Sequence, residues 1–245
     1  MKTTRILSIG IIIVLTLTAS QQTFAQLANF YSSPGYSNYI NTLINNSIWN
    51  SSMERYTKNY KGKSGASTSS SSTSSGQAKY EIPEYRRYRA VQFKSTGTRL
   101  TLQEYLDALT VSPQDKAEVK ALVLDIFKKY EAEAAAKGYP NDWALAFVSY
   151  VGLNSHVYNG KTEPLILPFE QNIGLRDVVA ENATDQGIFN NVTDAKKQEL
   201  YELLVMIGGL TYHFYEKALR ENNAEELKNV KLMAASNLKL VGIKP

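Results

Sequence analysis

From Thr101 onward, apolar residues recur at intervals of three and four, the period of a helix that buries one face. Val119, Val123, Ile126, Phe127, Tyr130 and Ala134 form one stripe, with Asp125–Lys129 and Glu133–Lys137 pairs on the outside of the same segment. Leu200, Leu203, Leu204, Ile207, Leu210, Phe214 and Ala218 form another, and Leu227, Val230, Ala234 and Leu238 a third. The stretch DWALAFVSYVGLNSHVY is apolar nearly all round, which predicts a helix surrounded by others. Polar signals divide these segments. Thr101 with Glu104 reads as a capping box, and Ser112-Pro113 as a cap followed by a first-turn proline. Asn141, Thr193 and Asn223 read as caps of later helices, and Gly138 followed by Pro140 as a stop. Residues 159–168, NGKTEPLILP, form a loop; a shorter helix is expected over 170–186 and a long one from Asp194 to about Glu221. Strand patterns are nearly absent. The expected fold is all-α, a helical bundle of five or six helices over residues 100–242.

Ahead of that bundle the pattern changes four times. Lys2 and Arg5 precede the apolar run Ile6–Leu17, and a polar stretch ends in Thr23 and Ala25, the layout of a signal peptide over residues 1–25. The run is shorter than the roughly 20 apolar residues that span a bilayer. Residues 26–63 carry a helical stripe through Ile40, Leu43, Ile44, Ile48, Met53 and Tyr56, with Asn38, Asn41, Asn45, Asn46 and Asn50 opposite. Asn is a poor helix former, so this amphipathic helix needs a surface to lie on. Residues 64–79 open with SGASTSSSSTSSGQ, a Ser-rich linker without apolar side chains. Residues 80–99 read as an extended basic and aromatic arm, because Ile82-Pro83 disfavours helix and Tyr85, Arg86, Arg87, Tyr88 and Arg89 alternate rings with cations. The periodic faces place the core after Thr101, so residues 99–245 are expected to melt cooperatively alone.

Charge sharpens this division. The net charge is +4, yet residues 51–99 hold ten Lys or Arg against three Glu, whereas residues 100–245 hold fifteen Lys or Arg against twenty Asp or Glu. A basic leader therefore precedes an acidic body. Alternating rings and cations suit single-stranded nucleic acid. An acidic body repels a phosphate backbone, however, and an exported protein does not meet nucleic acid routinely, so no nucleic-acid partner is expected. The arm can instead dock on the chain's own acidic helices or bind an envelope polyanion or an acidic protein.

Reactive chemistry has few candidates. The chain has no cysteine, which excludes disulfides, thiolate metal sites, a Cys nucleophile and a lipid-anchored cysteine. Of the two histidines, His156 falls in the last turn of its helix, where an imidazolium suits the dipole. His213 falls on the side of its helix that carries Glu202, Met206 and Lys217, a boundary or solvent position. His213 and Glu216 are two ligands at most, and no zinc motif, G-x-S-x-G elbow, P-loop or G-x-G-x-x-G occurs. No catalytic, cofactor or metal residues are assigned. Gly208 and Gly209 stand inside a helix, where each costs about 1 kcal/mol relative to Ala. Close packing of a neighbouring helix or a ligand groove would account for them.

DAKKQELYELLVMIGGL over residues 194–210, the preceding helix ending NSHVYNG and the closing LMAASNLKLVG resemble an uncharacterised bacterial family of exported helical domains, domain of unknown function 6683. The resemblance runs from about Leu100 to Gly242 and leaves out the Asn-rich helix and the Ser-rich linker. It implies an exported all-helical domain and brings no activity. Together these readings point to a non-enzymatic protein, periplasmic or secreted, whose partner is an unknown protein or an envelope polyanion. A carrier of a small apolar ligand between helices is the alternative, with Tyr150, Phe147, Tyr212 and Phe214 as its cavity wall. An enzyme of unidentified type is the third.

Overall fold

The computed structural model describes residues 47–59, 88–163, 165 and 169–245. Residues 1–25, read from sequence as a signal peptide, the Ser-rich linker, Tyr85, Arg86 and Arg87 lie outside the described residues. Seven α-helices stand among them: α1 (Ser47–Asn59), α2 (Leu102–Ala108), α3 (Pro113–Ala136), α4 (Trp143–Tyr158), α5 (Phe169–Asp185), α6 (Asp194–Arg220) and α7 (Ala224–Leu240). A single 3-10 turn, Arg89–Val91, precedes α2. No strand is present among the described residues, so the all-α bundle holds, with six helices after residue 100 and α1 before them. No helix among them is long and apolar enough to cross a membrane.

The apolar helix α4 lies at the centre. It packs on α6, α7 and α5, while α3 covers another side of α6 and α1 lies along α5. The stripe predicted for α6, from Leu200 to Ala218, is buried throughout. Ser112 caps α3 by accepting from the Asp115 N–H, Thr193 caps α6 through Lys196, and Asn223 caps α7 through Glu226. Gly138, at φ 84°, ends α3 while the Gly138 and Tyr139 amides bond back to Ala135 and Ala134.

Two of the predicted caps are corrected. Asn141 does not cap α4, because it adopts φ 53° and gives its carbonyl to the Phe93 amide; Asp142 accepts from Leu145 N at 2.8 Å instead. Thr101 is the residue before α2, but its hydroxyl donates to Glu202 at 2.9 Å and makes no capping bond. In both cases a partner distant in sequence, the Phe93 amide for Asn141 and the Glu202 carboxylate for Thr101, engages the residue that the local motif would use as a cap.

The core also starts earlier than the periodic faces indicate. Ile48 and Val91 are fully buried and Phe93 is 7 % exposed, all in the main cluster with Trp143, Phe147 and Leu204. Asn182 of α5 donates its amide to the Ile48 carbonyl and the Ser52 hydroxyl, and Arg55 pairs with Asp185 at 2.8 Å, which fastens α1. Residues 92–101 form a strap across α6. Lys94 N donates to Asp194, Thr96 N to Gln198, and the amides of Leu100 and Thr101 to Glu202; Lys197 donates to the Gln92 carbonyl and Gln198 to that of Thr98. The polar first turns of α6 thus satisfy backbone groups that no sheet or helix pairs.

Two polar clusters are buried inside this frame. Arg176 of α5 has no exposed surface. It donates through Nε to Asp142 at 3.1 Å and through Nη1 to Asp177 at 2.9 Å, its Nη2 also pairs with Asp142, and the guanidinium lies 4.3 Å from the centre of the Tyr139 ring. Burial works against its charge, but the two carboxylates outweigh it and hold its pKa above the ordinary arginine value. The second cluster joins α4, α6 and α7. Asn237 donates to Asn154 at 2.8 Å and to Thr211 at 3.1 Å, while the Tyr150 hydroxyl donates to the Asn237 carbonyl. Such a network fixes the register of three apolar faces that could otherwise slide.

At the crossing of α4 and α6, a Cβ on Gly208 would stand 3.3 Å from Tyr150 Cα, and one on Gly209 would collide with Ile126 of α3. The two glycines let α6 lie close between its neighbours. Gly208→Val is expected to force α4 away from α6 and cost about 2 kcal/mol, since overpacking outweighs the gain in helix propensity. Thermal melting followed by circular dichroism measures it, and an unchanged midpoint would show that the crossing has room.

Candidate functional site

The helix end of α4 sets up a chemically varied surface. Gly160, at φ 63°, turns the chain, and its amide and that of Lys161 bond back to Val157 and His156. This turn brings Lys161, Thr162 and Glu163 beside the last turns of α6. There Tyr212, Tyr215, Glu216, Leu219 and Arg220 share one side, at spacings of three, four, seven and eight. Together with His156 these residues line an open notch of about 270 Å³.

His156 is 6 % exposed and meets Tyr212 and Tyr215 edge-on, with ring centres 5.7 and 6.3 Å away. Burial and then the Lys161 charge lower its pKa below the usual imidazole value, and a hydrogen bond to the Lys161 backbone together with Glu163 and Glu216 offsets only part of this. Burial thus works against the imidazolium that a helix C-terminus would suit. Burial also raises the pKa of the Tyr212 and Tyr215 hydroxyls, with Glu216 adding to the first and Glu163 to the second. The Tyr212 hydroxyl accepts a long bond, 3.5 Å, from the Leu165 amide. Two phenols, an imidazole, two carboxylates and two cations can bind a guest that carries both signs of charge.

The residues singled out from sequence fall elsewhere. Tyr88 is half-buried against the core, with its ring 5.8 Å from the Arg176 guanidinium, and Arg89 opens the 3-10 turn at the surface. His213 is half-buried, with its pKa lowered by burial and by Arg220. Its helix side is not a solvent face, since Glu202 and Met206 are both fully buried there; the strap binds Glu202, and α3 lies on the same side of α6, with Ile126 against Gly209. No group of three metal-ligating side chains comes together among the described residues. Phe147 stacks on Trp143 at 5.2 Å and meets Trp49 edge-on, Tyr150 is bonded to Asn237, and Phe214 packs in the core. These rings fill the interior; of the four proposed for a ligand wall, Tyr212 alone lines the notch. The notch was missed because its α6 half shows a periodicity in sequence, but its meeting with His156 depends on how α4 and α6 cross.

A family model described as Family of unknown function (DUF6683) matches residues 5–245. The match takes in the Asn-rich helix and the Ser-rich linker, which the resemblance over Leu100–Gly242 left out; the docking of α1 on α5 gives a physical reason for that extension. No curated protein and no solved structure matches the chain.

Proposed function

The chain belongs to this family of unknown function, and we propose that it is an exported, non-enzymatic protein that binds a macromolecule in the envelope or outside the cell. The observation that carries this reading is the notch between α4 and α6. Tyrosines and arginine beside a half-open cavity are the composition of a protein-binding hot spot, and the balanced charges of Lys161, Arg220, Glu163 and Glu216 favour a protein partner over a polyanion. The buried ionisable groups serve the fold instead: Asp142 and Arg176 hold α4 to α5, and Glu202 holds the strap.

The test compares the tagged full-length protein with a Tyr212→Ala, Arg220→Glu variant in capture from its own envelope and culture fractions. A discrete partner, reduced at least about tenfold with the variant while its melting midpoint stays within a few degrees, supports the reading. Identical captures by both proteins rule the notch out. Loss only on changing Arg86, Arg87 and Arg89 to Ser would move the partner to the basic arm.

A further inference from the structure

From Leu227 to Pro245 the chain holds four lysines and no acidic residue, whereas residues 100–226 hold eleven Lys or Arg against twenty Asp or Glu. The lysines fall on α7 and just beyond it. Lys228, Leu232 and Lys239 are exposed and lie within about 40° of one another around the helix, counting 100° per residue. Lys231, on the flank of the same face, lays its ammonium over the Gly160 turn, where it leaves no room for a Cβ, and so stands beside Lys161. Elsewhere lysines pair along their own helices, Lys58 with Glu54, Lys129 with Asp125 and Lys137 with Glu133. Lys228, Lys231, Lys239 and Lys244 form no ion pair among the described residues. The helix dipole accounts for Lys239 alone, which is in the last turn of α7. Leu232, 59 % exposed, stands between these cations.

We propose that the outer face of α7 rests on an anionic lipid surface, with Leu232 entering the headgroup layer between Lys228 and Lys239. Composition separates this occupant from a protein. Protein interfaces are enriched in Arg and aromatic residues and depleted in Lys, and α7 carries neither Arg nor an aromatic ring. Arg matches a carboxylate with a rigid fork, while lysine is a point charge suited to a diffuse field of phosphates. A lone exposed leucine is ordinary on a protein surface, but one flanked by cations gains from both the apolar layer and the negative charge of a bilayer. The acidic excess before Leu227 is repelled by the same surface and so orients α7 toward it. The contact is peripheral, since the apolar side of α7 is committed to the core through Val230, Met233, Ala234 and Leu238. No residue of α7 lines the notch, so this contact and the notch reading fail separately.

The chain has no cysteine, so Ser236→Cys in the full chain places a single environment-sensitive fluorophore one turn from Leu232. Vesicles of phosphatidylglycerol and phosphatidylcholine in equal parts are expected to shift its emission to the blue. Phosphatidylcholine alone should not, and about 0.5 M salt should reverse the change. Each lysine near an anionic surface is worth roughly fivefold in binding, so Lys228→Gln with Lys239→Gln should raise the lipid concentration for half-maximal shift about 25-fold. Leu232→Ser should raise it about three- to fivefold. An unresponsive fluorophore, an equal response to phosphatidylcholine alone, or lysine variants that bind like the parent chain would each overturn the proposal. So would the same shift from a fluorophore at Gln114→Cys on α3, the mark of adsorption by another segment. Leu232→Ser without effect, or poly-glutamate shifting the emission as the vesicles do, would overturn it too and assign the face to an acidic polymer.

Discussion

A chain truncated to residues 99–245 is expected to lose its cooperative melting transition, or to keep one far below that of the full protein. The sequence pattern implies the opposite, because every strong helical stripe lies after Thr101. The packing decides the matter. Ile48, Val91 and Phe93 are all within the main core, and burying each side chain is worth about 2 kcal/mol. Their loss opens the cluster around Trp143 and Phe147 to solvent and leaves Asp194, Lys197 and Gln198 without the strap groups they bind. The combined cost approaches the roughly 5–15 kcal/mol that holds a typical domain together. Circular dichroism and urea denaturation of the two chains side by side make the comparison. A truncated chain that melts sharply within a few degrees of the full protein would show that strap and α1 are accessories.

Arg176→Met should have the largest effect of any single substitution considered. Methionine matches the aliphatic stem but leaves the Asp142 and Asp177 carboxylates buried without their cation. Breaking a buried pair from one side costs about 3–5 kcal/mol, most of it the stranded charge. At about 2–4 °C per kcal/mol for a chain of this size, the midpoint should fall by roughly 10 °C. Replacing Asp142 and Asp177 by Asn in the same chain should recover part of the loss, since the stranded charges are then removed. If Arg176→Met alone costs under about 1 kcal/mol, the cluster is solvated in solution and the argument from burial fails.

Most of the helical architecture was legible because it rests on local signals. The Ser112-Pro113, Thr193 and Asn223 caps and the stripe from Leu200 to Ala218 each depend on residues within one or two turns. What remained hidden depends on partners far away in sequence. Glu202 and Gln198 look like a solvated helix face until residues 96–101 are laid over them. Val91 and Phe93 stand in a stretch too short for periodicity to show, and Arg176 reads as one more exposed cation until Asp142 is placed beside it. The notch at His156 is of the same kind: each half is unremarkable alone, and the site exists where two helix ends meet.

The strap has a kinetic consequence. Its hydrogen bonds join residues 100 to 105 positions apart, so none can form until the first turns of α6 have been made. At roughly 5–20 residues per second, synthesis leaves an interval on the order of ten seconds in which residues 92–101 have emerged and have nothing to bind. Closing a loop of that length comes late in folding, as high contact order requires. The same order runs backward on opening: the amides of Thr96, Leu100 and Thr101 should exchange with solvent through release of the strap, before the α4–α6 interior gives way.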